Sequence, residues 1–162
     1  MIIPVIQHPD ERLRQRADAV DFSDADEVQW MRATAQDLED TLQGLEICIG
    51  LAAPQIGRSQ RIIIVDVTRR GVDRYVMVNP VITKQSQQSQ RVQDGCMSVQ
   101  HGRFHSSTKR PLRIQVEWQD VAGVTHRQKF SNLMAACIHH EIDHLNGRLF
   151  IDPPGGQEAS SG

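Results

Sequence analysis

His140-Glu141-Ile142-Asp143-His144 constrains this chain more than any other stretch. The pentapeptide lies in a run that reads as a buried helix, beginning near Ser131 or Asn132 and ending at Asn146-Gly147. At about 100° per residue, the His140 and His144 side chains fall about 40° apart on one face, one turn from each other. Two imidazoles so placed can hold one divalent metal ion, with Glu141 beside them as a candidate general base. The pattern points to metal-assisted hydrolysis.

The helix supports that reading. With Leu133 as the zero of angle, Cys137 falls near about +40°, His140 near about −20° and His144 near about +20°, so the histidines continue one stripe. Met134, Ile138, Ile142 and Leu145 cover a second apolar arc, and Glu141 projects between the two. Buried polar groups must find partners, and a metal with its water would satisfy all three. His139 points the other way, near Asp143 and Asn146, and reads as a solvated surface histidine. Without a ligand, the same residues would be a core helix with two incidental histidines and a salt-bridged glutamate.

A catalytic metal usually takes three protein ligands and keeps one position open. The short stretch after His144 contains no histidine, and its only carboxylates are Asp152 and Glu158, so the third ligand is expected upstream. Cys137 is about 10 Å from His144 along the helix axis, too far to share one ion with both histidines. Cys48 and Cys96 remain as thiol candidates, and Gly95 favours Cys96 by permitting a tight backbone approach.

The rest of the chain predicts an α+β fold: a single domain over residues 1–152, with antiparallel sheets packed around the late metal-binding helix. Asp26 to Gly44 carries apolar residues at helical spacing, with Asp24 or Ser23 as N-cap. Arg61 to Val67 is β-branched and reads as a buried strand. Tyr75 to Asn79 is expected to be a strand that stops at Pro80. Leu112 to Trp118 alternates, and Val124 to Phe130 returns as its hairpin partner. Lys84 to Gln90 reads as an exposed polar loop, and the Pro/Gly/Ser-rich tail over 153–162 as disordered.

Composition excludes several classes. A net charge of −2 gives no bulk attraction to nucleic acid or to an anionic membrane. Three cysteines form no disulfide framework and suit a reducing compartment. The apolar start, Met1 to Val5, breaks within a few residues and is neither signal peptide nor membrane span. A cytoplasmic enzyme is the expectation.

Three separated stretches resemble one family. Gly50-Leu51-Ala52-Ala53-Pro54-Gln55, Gly95-Cys96-Met97-Ser98 and the His140–His144 motif are similar to the signatures of the peptide deformylases. His8-Pro9-Asp10-Glu11-Arg12-Leu13-Arg14 and Val76-Met77-Val78-Asn79-Pro80 extend the likeness over residues 3–152. One such motif is weak, but three in order are specific.

The resemblance implies removal of the formyl group from N-terminal formyl-methionine on new polypeptides, and hence proximity to the ribosome. It implies metal ligation by Cys96, His140 and His144, with Fe²⁺ as the usual ion and Zn²⁺ or Ni²⁺ as substitutes. Glu141 would take the proton of metal-bound water and pass it to the leaving amine. The Gln55 side-chain amide and the Met97 backbone N–H would face the oxyanion. Ile49, Val92, Leu133 and Cys137 would line the methionine slot. Ile49, Gly50 and Arg103 would hold the extended substrate backbone, Arg103 by donating to a peptide carbonyl.

The chain also departs from the family pattern. Cys48 stands where a glycine is usual, Asp94 where a glutamate is, Gln100 where a proline is common and Thr108 where an arginine often is. Asp143 is expected to pair with Lys109 or Arg110 instead. These changes motivate an alternative, a related metal amidase acting on other N-acylated peptides or small amides.

Overall fold

The computed structural model describes residues 1–154. Helix α1 (Ala25–Gln43) is capped by Asp24, whose Oδ1 accepts from the N–H groups of Asp26 and Glu27 at 2.9 and 3.3 Å. Strands β1 (Gly50–Ala52), β2 (Ile62–Asp66), β3 (Arg74–Gln85), β6 (Arg113–Gln119) and β7 (Thr125–Ser131) form one antiparallel sheet in the order β1-β2-β3-β6-β7. Strands β4 (Ser89–Gly95) and β5 (His105–Pro111) form a separate two-stranded hairpin. Helix α2 (Asn132–Leu145) follows β7.

The large sheet is covered on both faces, which explains the continuous β-branched run of β2. Ile63 and Val65 pack with Ile138, Ile142 and Leu145 of α2. Their neighbours Ile62 and Ile64 pack with Met31, Leu38 and Leu42 of α1. Alternate residues point to opposite faces of a strand, so a doubly covered strand must be apolar at every position. Each of these side chains contributes roughly 1.5–3 kcal/mol by leaving water. β6 needs only one apolar face, and Ile114, Val116 and Trp118 supply it toward α2.

Two expectations are corrected. Strand β3 does not stop at Pro80 but continues to Gln85, with a register shift between Val78 and Val81. Asn79 sits at φ +52°, and its side chain bonds Val20 N, Val20 O and Gln119 Oε1 at 2.8, 2.9 and 3.0 Å. The bulge lets a residue without an N–H pass through the ladder. Lys84 to Gln90 is not one loop, because β3 runs to Gln85 and β4 begins at Ser89. Gln90 turns its amide onto Pro111 O and Asn132 O at 3.0 and 2.8 Å.

Helix α2 is capped by Asn146 and followed by Gly147 (φ +74°), where a Cβ would lie 2.3 Å from the Arg14 carbonyl oxygen. Only glycine fits there. Beyond it, Arg14 pairs with Asp152 at 2.7 Å and ties the segment after α2 to the N-terminal region. Of the expected disordered tail, Pro153 and Pro154 are described and 155–162 lie outside the described residues. Among the described residues, no helix is long and apolar enough to cross a membrane.

Candidate metal centre and cleft

α2 presents His140, Glu141 and His144 toward the end of β4, all three buried. The turn after β4 brings Cys96 to them. One ligand atom from each of Cys96, His140 and His144 lies within 4.8 Å of the others. Cys96 Sγ is 3.2 Å from His144 Nε2. Among the described residues, this is the one group of three or more such side chains so converged. Cys48, the other thiol left open by sequence, is absent from it.

Gly95, the last residue of β4, allows a close approach beside the ligand. A Cβ there would sit 2.6 Å from the His105 ring carbon Cδ2, so its absence lets His105 lie across the chain beside the ligand.

The imidazoles are oriented from behind. His140 Nδ1 lies 2.8 Å from Asp94 Oδ1, which leaves Nε2 facing the triad. Asp94 Oδ2 accepts from Thr108 Oγ1 at 2.8 Å and from Arg110 Nε at 2.8 Å. Arg110 is itself buried and also donates to Asp143 Oδ2 at 3.1 Å and to His139 Nδ1 at 2.8 Å. Arg110, not Lys109, is therefore the partner of Asp143. His139 is not a simply solvated histidine, since Arg110 fills its ring acceptor and half-buries it. Neither Asp94 nor Arg110 stood among the candidate site residues. The one clue was the acidic residue two places before Cys96.

Burial would raise the Asp94 carboxyl, but His140 and Arg110 outweigh it and hold the group far below the usual range. Burial pulls the His140 ring down, and Glu141 and Asp94 more than reverse that, so the ring holds a proton well above its ordinary value. His144, buried and facing His140, is driven well below its ordinary value.

Two N–H groups converge on the Cys96 sulfur, Gln55 Nε2 and Ser98 N, each at 3.4 Å. They complement negative charge there. Gln55 is locked in this pose: its Oε1 accepts from Ala52 N at 2.9 Å and its Nε2 donates to Ser98 Oγ at 3.0 Å. Glu141 Oε1 is buried with no protein partner. Burial pushes the Glu141 carboxyl up to about 7, with Asp94 adding to the rise and His140 opposing it. A soft sulfur ligand, two imidazoles and a carboxyl with one unbonded oxygen beside them fit a catalytic divalent ion with an open position.

Cys96, His140 and Glu141 line a cavity of about 200 Å³. Of the expected substrate contacts, Ile49, Gly50, Val92, Leu133 and Cys137 line it, as do Gln55 and Met97. Arg103 does not. It is exposed and donates from Nε to Gln100 O at 3.4 Å. Cys48, equally readable from the sequence as a small buried hydrophobe or an alternative ligand, is buried in the core and also lines the cavity.

The family model for polypeptide deformylase matches residues 2–158. The chain belongs to the polypeptide deformylase family. A peptide deformylase of Rhizobium meliloti (strain 1021) is 38% identical over 153 residues, covering 93% of this chain and 84% of that one. The crystal structure of a peptide deformylase from Legionella pneumophila superposes with a TM-score of 0.84 at 32% identity, covering 99% of this chain and 90% of that one. An actinonin-bound peptide deformylase from Acinetobacter baumannii gives 0.84 at 28% identity, covering 93% and 97%. The chain is thus an enzyme of a metal-dependent hydrolase family, with the family's α+β architecture.

Proposed function

We propose that this chain hydrolyses the N-formyl group of formyl-methionine at the start of newly made polypeptides, releasing formate and a free α-amine. The observation that carries the reading is the convergence of Cys96, His140 and His144 beside a buried carboxyl, one oxygen of which, Glu141 Oε1, has no hydrogen-bond partner.

Cys96, His140 and His144 would hold the ion, Fe²⁺ as the native metal and Zn²⁺ or Ni²⁺ as substitutes. Such a cation supplies Lewis acidity, polarising the formyl oxygen and acidifying a water molecule. Glu141 holds and moves the proton. A carboxyl pushed to about 7 can accept a proton near neutrality and return it to the leaving amine. The Gln55 amide, fixed by Ala52 and Ser98, and the Met97 backbone N–H are the donors for charge developing on the formyl oxygen. Ile49, Val92, Leu133 and Cys137 form the slot for the methionine side chain. Gly50 and Ile49 offer backbone to the substrate, and Arg103 acts from outside the cavity on more distal peptide carbonyls. The cytoplasm, near the ribosome exit, is the compartment this reading assigns.

The test is turnover of formyl-Met-Ala-Ser beside its acetyl analogue, using Fe²⁺- or Ni²⁺-loaded protein prepared without oxygen. Preferential release of formate supports the reading. A marked preference for the acetyl peptide would overturn it in favour of a different amidase.

A further inference from the structure

β1 lies at an edge of the large sheet. Its register with β2 sets Gly50 opposite Val65. One pair further on, the Asp66 N–H donates to the Ile49 carbonyl at 2.8 Å. Hydrogen-bonded and non-hydrogen-bonded pairs alternate in an antiparallel ladder. Gly50 therefore falls in a non-hydrogen-bonded pair, and its own N–H and C=O point away from β2 toward the open edge. Gly50 also lines the cavity. An extended peptide entering there meets the Gly50 carbonyl as an acceptor on a free sheet edge.

That carbonyl is already engaged. The Cys48 thiol donates to Gly50 O at 3.2 Å. Cys48 is only 3% exposed and packs with the core beneath α1, so its side chain has little room to swing aside. Its carbonyl is held by the Arg69 guanidinium, which fixes the backbone as well. Burial, reinforced by Glu141, pushes the thiol up to about 12, so it remains a donor at any working pH. Gly50 is also packed closely against α2. A Cβ there would already stand 2.7 Å from Glu141 Oε2 and 3.0 Å from Cys137 Sγ.

We propose that the Cys48 thiol competes with a substrate backbone N–H for the Gly50 carbonyl, making Cys48 a determinant of affinity for formyl-methionyl peptides. The inference rests on the deformylase reading above. A carbonyl has two lone pairs, so the thiol weakens the substrate's bond without forbidding it. The effect falls on binding of the peptide backbone and not on the formyl carbon.

The experiment compares KM and kcat of the metal-loaded full chain with formyl-Met-Ala-Ser for wild type, Cys48→Ala and Cys48→Ser. Removing the donor in Cys48→Ala lowers KM about threefold, the worth of one weak sulfur hydrogen bond, with kcat unchanged. Cys48→Ser raises KM, because a hydroxyl is the stronger donor to the same carbonyl. A residue that merely filled space would behave otherwise: serine is smaller than cysteine, so both variants would lower KM. That result, or equal KM in all three proteins, overturns the proposal. Peptide dissociation constants measured in a Glu141→Gln background follow the same order if the proposal holds, independently of turnover. Absence of formyl turnover by wild type overturns the deformylase reading and this inference with it, whereas normal turnover with the wrong order of KM overturns this inference alone.

Discussion

Asp94 and His140 lie on different elements, yet their Oδ1 and Nδ1 atoms stand 2.8 Å apart, fixing the ring so that its other nitrogen faces Cys96 and His144. The carboxylate is in turn gripped by Arg110, whose guanidinium bridges Asp94 and Asp143 across the space between β5 and α2. The metal centre is thus stiffened by a buried chain of charge. Its members come from β4, β5 and α2.

Arg110→Ala leaves two carboxylates without their shared cation in a buried setting. The expected loss is about 3–5 kcal/mol of stability, together with roughly 10–100-fold weaker metal binding through the disturbed His140. Denaturant unfolding and metal competition against a chelating dye check both. Unchanged values in each would show the bridge to be incidental.

Glu141→Gln keeps the shape of the side chain and removes its proton chemistry. Turnover of formyl-Met-Ala-Ser is expected to fall at least about 10²–10⁴-fold, while metal content per chain stays that of the wild type. Retained turnover at full metal loading would count against Glu141 as the proton carrier.

Gly50→Ala introduces a methyl group into the space of Glu141 Oε2 and Cys137 Sγ. Both neighbours belong to the cleft, so the damage concentrates there. Activity is expected to drop by at least an order of magnitude for a stability loss of about 1–3 kcal/mol, the range for overpacking. Paired measurements of kcat/KM and thermal unfolding test the asymmetry.

Arg14 and the Leu149 N–H outweigh burial and hold the Asp152 carboxyl below its ordinary value of 3.8. A carboxyl depressed in the folded state binds protons more readily when unfolded. Its contribution is therefore present above the unfolded value and lost as pH falls through the folded one. Acidification should release the segment after α2. Hydrogen exchange at the Leu149 amide, corrected for intrinsic rates, is expected to speed up on that descent. Arg14→Ala should move the transition to higher pH, and identical profiles for the two proteins would exclude the pairing as its cause.

The local chemistry was legible in the chain because it is written in short-range spacing. Helical angle alone places His140, Glu141 and His144 together, and alternation alone reveals β6. Strand β2 shows as a solid apolar run because both its faces are covered. The β4–β5 hairpin left no such mark: most of its residues are polar and one side is open to water. The continuation of β3 through Pro80 depends on Asn79 reaching Val20 and Gln119, partners far away in sequence.

The sequence by itself determined the metal-binding helix, the apolar strands and, through three separated motifs, the family. Tertiary structure brought to the histidines the thiol that the family motif had implied, and decided which cation serves Asp143 and that Cys48 lies against the cleft-facing carbonyl of Gly50. Local patterns follow from backbone geometry within a few residues. These other choices are contacts between residues 33 to 48 apart in the chain, or depend on the open side of a strand, and only packing brings them into being.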